Sequence, residues 1–368
     1  MRQVILTEIF AKRKEPRMKE FIAFDSHKRY TLVELEDVGT TKTRQFRVEH
    51  APGAIQGCLQ GREKGTSVAV EATGNWYWIV DEIEQAGLQP KLVHPRKAKL
   101  MMGLINKTDK LDAHGLNQLQ RNRTLPTVWI PPRELRDLRE LTRTRMVLAA
   151  QRTRLKNRIQ ATLNKYGWIL KDYSDPFGKK ARVELNLCID HLPSQTAYVT
   201  GVLMNQLDKL EEQIKAMEKR IRALAQETPA IKRLMTLPGI GWILAVVIAL
   251  EIGEVLRFPS AEHLASYSGT TPRIHQSGDK TRYGRLRPDV NHYLRWAFIE
   301  AGHSVCLNQA VHPHRHVTRL YQRVRGRRGH SKAVGAVARH LAEATYHVWN
   351  TGEPYRDPAL SKGQSREV

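Results

Sequence analysis

FIAFDSHKRYTLVELEDVGTTKTRQFRV, residues 21–48, is the stretch on which the fold turns. It contains three short β-type runs, Phe21-Ile22-Ala23-Phe24, Thr31-Leu32-Val33-Glu34-Leu35 and Gln45-Phe46-Arg47-Val48. Gly, Lys and Thr residues between the second and third suit a hairpin loop. Outward from this stretch, an apolar-periodic segment leads to a fourth run, Val68-Ala69-Val70-Glu71. A helical pattern follows from about Trp76 to Ala86, and Lys91-Leu92-Val93-His94 closes the series. Three strands in succession, then strands alternating with helices, make an α/β domain.

That element order is the order of an RNase H-like fold, although periodicity alone leaves other α/β folds open. Its acids fall at informative places. Asp25 ends the first strand, Glu71 ends the fourth, and Asp109 and Asp112 begin a later helix. In such a sheet the first and fourth strands are neighbours, so their C-terminal ends can bring Asp25 and Glu71 together. A spacing of three puts Asp109 and Asp112 on one helix face. Four converging carboxylates repel one another unless a hard divalent cation neutralises them. Two such ions can position a nucleophile and stabilise a leaving oxygen in phosphoryl transfer. Taken singly, each acid is more often a helix cap or a solvated surface charge, and Asp109 after Thr108 suits an N-terminal cap.

From Glu134 to about Tyr166 the pattern is a long basic helix. Leu203, Leu207, Leu210, Ile214, Met217, Ile221 and Leu224 then alternate steps of four and three, which suits the seam of a coiled coil or helical hairpin and equally the apolar face of an ordinary amphipathic helix. Gly167 to Gln195 between them reads as irregular. A mostly helical domain runs from Thr228-Pro229 to about Thr351, and a polar tail expected to fray follows from Gly352. Within that domain Leu237-Pro238-Gly239-Ile240-Gly241 precedes an apolar helix. The turn suits either a helix-hairpin-helix element, whose amides contact a phosphate, or a tight helix-helix corner. Ser277-Gly278 is followed by Lys280, Arg282, Arg285, Arg287 and Arg295. A serine beside a flexible glycine among cations suits attack on a phosphodiester, although by itself such a pair is usually a surface turn. His312, His314 and His316 near His303 read as a polar loop rather than a metal site.

Composition narrows the partners. The 368 residues carry 60 Lys plus Arg against 37 Asp plus Glu, a formal charge of +23. Such an excess points to a polyanion, because basic surfaces gain affinity by releasing counterions from phosphates. Cys58, Cys188 and Cys306 are scattered without a CxxC pair, which fits a reducing compartment and argues against a cysteine-built zinc site. No apolar run is long enough to span a bilayer. The expected location is cytoplasmic and nucleoid-associated.

The motifs Ala23-Phe24-Asp25, Val70-Glu71-Ala72-Thr73-Gly74 and Lys107-Thr108-Asp109-Lys110-Leu111-Asp112-Ala113 go together with the Pro-Gly-Ile-Gly block. Phe258-Pro259-Ser260, Leu264-Ala265-Ser266-Tyr267-Ser268-Gly269 and Gln276-Ser277-Gly278 complete the set. Together they resemble the DEDD insertion-sequence transposases of family one-hundred-ten, the bridge-RNA-guided recombinases, from about Met18 to Tyr355. The resemblance implies an N-terminal extension (1–17), a RuvC-like DEDD domain (18–130), a helical coiled-coil region (131–228), a serine-bearing transposase domain (229–351) and a polar tail (352–368). It implies that Asp25, Glu71, Asp109 and Asp112 bind Mg2+, two ions per site, and that Ser277 holds DNA covalently. Gly239, Gly241, Lys280, Arg282, Arg285, Arg287 and Arg295 are the expected nucleic-acid contacts. Donor and target DNA, a structured guide RNA and further copies of the chain, as a tetramer (dimer of dimers), are the implied partners, with a composite site built by different protomers. Two departures stand out: Val290-Asn291 where the family commonly has Gly-Asn, and residues 1–17 ahead of the usual start, which makes Met18 a candidate initiator. Two rivals remain on the residues alone. A RuvC-like resolvase would use the acids with water as nucleophile, and a non-catalytic basic protein would need neither metal nor acids.

Overall fold

Strands β1 (Glu20–Ser26), β2 (Tyr30–Asp37) and β3 (Thr43–Glu49) form an antiparallel meander. The turn between β2 and β3 is held by Asp37, whose Oδ1 accepts from the Thr40 amide at 2.7 Å and its hydroxyl at 2.8 Å. A short helix, α1 (Ala54–Cys58), leads to β4 (Ser67–Glu71), and α2 (Trp76–Gln85) leads to β5 (Gln89–Val93). β4 lies parallel to β1, and β5 parallel to β4, giving the order β3-β2-β1-β4-β5. The computed structural model describes residues 19–103, 108–225, 228–278 and 280–358. The N-terminal extension, Met18 and Lys107 lie outside the described residues.

β1 and β4 are apolar almost throughout because both of their faces are covered. On one face Ile22, Phe24, Val68 and Val70 pack with Ile55, Ile79 and Ile83. On the other, Ala23, Ala69 and Val93 meet Ala98, Leu116 and Leu119. The alanines let α3 (Pro95–Met102) and α4 (Asp109–Arg121) lie close to the sheet. Helix α4 is further pinned by buried polar groups. Asn117 Nδ2 donates to Glu34 Oε1 at 3.1 Å, and Gln120 Nε2 donates to the Ile22 carbonyl at 2.7 Å. His114 Nδ1 meets Glu34 Oε1 at 3.1 Å, and Arg121 pairs with Glu36. Glu34 is fully buried, so these partners satisfy a carboxylate that would otherwise be costly in the interior.

The chain divides into two compact units, residues 1–130 and 131–368. The second opens with two long helices, α5 (Arg133–Lys165) and α7 (Ser194–Leu224). Arg145 pairs with Glu218, Lys156 with Glu211, and Tyr166 bonds Thr196, so the helices run antiparallel. Leu207, Leu210, Ile214 and Ile221 of the heptad seam are buried, whereas Leu224 is exposed. The stretch read as irregular contains a helix, α6 (Arg182–Asp190), whose Leu185, Cys188 and Ile189 join Ile159, Leu163 and Leu207 in a core of their own. The Pro and Gly punctuation around it marked the loops and masked nine residues of helix between them.

The rest is helical around one hairpin: α8 (Pro229–Leu234), α9 (Trp242–Ile252), α10 (Ala261–Tyr267), β6 (Pro272–Ser277), β7 (Lys280–Leu286), α11 (His292–Leu307), α12 (His316–Arg328) and α13 (His330–Thr351). α9 is apolar all round and lies in the core. Its one acid, Glu251, is fully buried and accepts from Arg143 at 2.7 and 3.0 Å and from Asn291 at 2.8 Å. The tail expected to fray is tied back over its described part. The Tyr355 amide donates to Thr236 Oγ1 at 2.8 Å, and its ring packs against the core. No helix among the described residues is long and apolar enough to cross a membrane.

Candidate active site

The parallel register aligns Ala23 with Ala69 and Phe24 with Val70, which sets Asp25 and Glu71 at matching positions on adjoining strand ends. Both therefore point to the face covered by α4, by the alternation of side chains along a strand. Asp25 is 6% exposed. The two ends are also tied through the loop after Glu71: Asn75 Nδ2 donates to the His27 carbonyl at 2.8 Å, and Thr73 Oγ1 donates to Asn75 Oδ1 at 2.8 Å. That bridge gives the Glu-Ala-Thr-Gly-Asn run a physical role.

Thr108, not Asp109, caps α4, its hydroxyl accepting from the Leu111 amide at 3.3 Å. Asp109 and Asp112 occupy the first turn, where the helix dipole favours negative charge. Asp109 Oδ2 accepts from the Tyr30 hydroxyl at 2.9 Å, a bond that pushes the Tyr30 phenol up from its ordinary range. Burial raises the Asp25 carboxyl. His27 beside it pulls it down, and Asp112 and Asp109 push it up. Asp25 thus feels both Asp109 and Asp112, while Glu71 is placed beside Asp25 by its register position.

His27 belongs to this group and was missed in the sequence. Its Nε2 is 3.2 Å from Asp25 Oδ2 and 3.2 Å from Asp109 Oδ2. The signal was an Asp-x-His spacing at a strand end, which places both side chains on one face. Asp25, His27 and Asp109 are the one group among the described residues whose acid and imidazole atoms converge for a metal ion, all within 4.8 Å. The donor set fits a divalent cation. Asp25 Oδ2 is buried without a hydrogen bond, and a buried carboxylate oxygen in that condition calls for a cation or a proton.

In the second unit, Ser277 pairs with Lys280 at the tip of the β6–β7 hairpin, around Gly278 at φ +56°. Every residue of β7 is exposed, and so are all of β6 but Pro272. Cross-strand pairing of Ser277 with Lys280 and of His275 with Arg282 puts these four on one face. Ile274 and Tyr283, 61% and 70% exposed, share the other. Arg285 alternates away from Ser277. Arg287 and Arg295 lie at the hairpin's base, where Arg295 donates to the Arg287 carbonyl at 3.3 Å and Arg287 pairs with Asp289. The five cations are therefore not one cluster: Lys280 and Arg282 flank the serine.

Gly239 has φ +78°, and a Cβ there would run into the Ala301 carbonyl oxygen of α11. Packing alone accounts for this glycine. Gly241 caps α9 with open space at its Cα, beside a groove of about 810 Å3 bordered by Arg145, Arg222, Trp242 and Trp296. Gly269, φ +68°, leaves the room in which the Val290 side chain sits, so the valine that departs from the family pattern is housed by a second glycine. His312 and His314 lie in the loop before α12, while His316 opens that helix and stacks on His340 at 4.7 Å.

Residues 22–167 match the DEDD profile of IS110 elements, described as Transposase, and residues 231–316 match the profile described as Transposase IS116/IS110/IS902 family. A Pseudomonas aeruginosa protein named probable family 20 transposase is 26% identical over 264 residues, covering 70% of this chain and 77% of its own. The transposase for insertion sequence element IS1111A of Coxiella burnetii is 24% identical over 292 residues, 78% of this chain and 79% of its own. An IS110 insertion-element protein of 43.6 kDa from Streptomyces coelicolor is 27% identical over 312 residues, 72% of this chain and 76% of its own. With Asp25, His27 and Asp109 converging in the first matched region, the enzyme class is that of the DNA transposases, which cut and rejoin DNA. The chain belongs to the IS110 family of DEDD insertion-sequence transposases. Domains of this type use a divalent metal, and the group around Asp25 is its candidate seat.

Proposed function

We propose that this transposase is a Mg2+-dependent recombinase with an RNase H-like (RuvC-like) N-terminal domain, a coiled-coil region and a nucleophilic serine, Ser277. The observation that carries the reading is the buried Oδ2 of Asp25, which has no hydrogen bond and converges with Asp109 and His27 within the DEDD region. Asp25, Glu71, Asp109 and Asp112 hold Mg2+, two ions per site. When bound, the ions supply charge neutralisation around a scissile phosphate. Tyr30 holds Asp109 in position through its hydroxyl, and Thr108 fixes the helix start that presents Asp109 and Asp112.

Ser277 Oγ attacks phosphorus, forming one P–O ester bond as the DNA P–O bond breaks. The serine loses its proton, and the departing DNA oxygen gains one. Lys280 and Arg282, on the serine's own face of the hairpin, offset charge on the phosphoryl oxygens. The phosphoserine ester conserves the bond energy, so rejoining needs no external energy source. Exposure of nearly the whole hairpin supports this role, because a two-stranded ribbon of this kind gains order against a partner surface. Gly241, Arg285, Arg287 and Arg295 contribute nucleic-acid contacts, and the groove beside Gly241 is one place for them. The family resemblance extends the reading to an element-encoded guide RNA that specifies donor and target DNA. It also extends it to a tetramer (dimer of dimers) in which metal centre and serine come from different protomers.

A suicide DNA substrate incubated with protein, guide RNA and Mg2+ tests this. The expected result is a covalent adduct that maps to Ser277, is lost in Ser277→Ala, and is lost in Asp25→Asn with nucleic-acid binding retained. An adduct at another serine overturns the nucleophile, and cleavage without any adduct favours hydrolysis by the acids with water.

A further inference from the structure

We propose that His27 is a nitrogen ligand of the divalent cation held by Asp25 and Asp109, and that it shifts the site's preference from Mg2+ toward Mn2+. The inference rests on the metal reading above and adds to it a ligand outside the four acids. Three observations carry it. First, His27 Nε2 faces two carboxylate oxygens at an equal 3.2 Å, yet it is a buried atom without a hydrogen bond, as is Asp25 Oδ2. An imidazole serving as an ion-pair donor would align its N–H with one oxygen. Here the nitrogen and the two oxygens converge without that alignment, the arrangement of ligands around a common point.

Second, the spacing suits a coordination shell. At a metal-ligand distance of about 2.0–2.1 Å in octahedral geometry, adjacent ligand atoms lie roughly 3 Å apart. The two 3.2 Å separations are close to that value, and all three atoms fall within 4.8 Å. Asp25 itself is 6% exposed, so the oxygen turned into the group is not a solvated surface charge.

Third, His27 is held where it is. Its amide donates to the Tyr30 carbonyl at 2.9 Å, its carbonyl accepts from Asn75, and its ring stacks against Tyr30 at 4.6 Å. Tyr30 in turn holds Asp109 and carries Arg47 on its ring face at 3.7 Å. A preorganised imidazole favours a softer cation than carboxylates alone do. Oxygen-only shells suit Mg2+, whereas imidazole raises affinity for the transition metals.

The test uses the full chain and Mn2+ alone. Pulsed electron paramagnetic resonance of bound Mn2+ should show hyperfine coupling to an imidazole nitrogen. That coupling should change when histidines are labelled with 15N, and vanish in His27→Ala and His27→Gln while remaining in His94→Ala. Titration should show the Mn2+/Mg2+ affinity ratio falling about tenfold or more in the His27 variants. Mn2+ bound without nitrogen coupling overturns the assignment of His27 and leaves the carboxylate site standing. Absence of specific Mn2+ binding overturns both. If one His27 variant fails to fold, the other carries the assignment, and a wild type without nitrogen coupling overturns it outright.

Discussion

Replacing Glu251 by Ala isolates the buried ion network that joins α5 to the helical domain. Glu251 is fully buried, and the side chains of Arg139 and Arg143 are 5% and 20% exposed. Arg139 keeps its bonds to the Leu250 and Glu251 carbonyls at 2.8 and 2.9 Å, so its geometry survives the change. Its counter-charge does not, and burial already pulls that guanidinium's pKa down while Glu251 pushes it back. Arg143 loses two bonds, and Asn291 loses the partner that steadies its cap on Tyr293 and Leu294. Removing one member of a buried pair costs about 3–5 kcal/mol, because the remaining cations lose their buried counter-ion, although Arg143 keeps Glu140 at 3.7 Å. At roughly 2–4 °C per kcal/mol for a unit of this size, the midpoint of the second unit should fall by about 6–20 °C. Glu251→Gln keeps the shape and part of the bonding, so its loss should be smaller. Calorimetry or urea unfolding of the full chain, followed unit by unit, is the assay. A Glu251→Ala loss below about 1 kcal/mol would refute the claim that this network carries the junction.

Gly239→Ala should destabilise the second unit by about 2–4 kcal/mol, from a side chain at φ +78° and from collision with the Ala301 carbonyl; an unchanged urea midpoint would count against the packing account. Burial, and His316 beside it, depress the His340 pKa below its ordinary 6.5, so the unfolded state binds more protons just below that pH. Stability should therefore be full above about pH 6.5 and fall as the pH drops through the lowered value, and His340→Gln should flatten that slope in thermal melts. DNA affinity should fall with salt at about −0.9 in log K against log salt per phosphate neutralised, and a flat titration would mean that the +23 excess faces something other than nucleic acid.

The first unit was legible because its strands are punctuated and its signals are local. Each of the five runs becomes a strand, and β1 beside β4 follows from the element order. The second unit was less legible for physical reasons. Nine helical residues at Arg182–Asp190 were hidden by flanking Pro and Gly, whose turns say where a loop lies and not how long it is. The hairpin after Thr270 escaped because Arg, Lys and Gly fill it, with no buried face to impose period-two alternation. Tyr355 escaped for the converse reason: one aromatic in a polar tail is enough to tie it down, and composition averages that residue away.

The candidate site divides along the same line. Asp25, Glu71, Asp109 and Asp112 could be named from strand ends and a helix start, since backbone order alone brings those positions to one edge of the sheet. What holds the acids in place was not visible, because it depends on long-range partners. Glu34 lies fully buried 80 positions before His114 in the chain, and only the folded sheet makes them neighbours at 3.1 Å. Tyr30 reaches Asp109 across 79 positions, and Asn117 reaches Glu34 across 83. These bonds set the register of α4 on β1 and β2, and so the height at which Asp109 meets Asp25. A one-residue slip of that helix would rotate Asp109 by about 100° away from the strand end, given 3.6 residues per turn. The acids were readable as candidates, but the geometry that brings Asp25 and Asp109 together is carried by neutral and buried residues that no local pattern singles out.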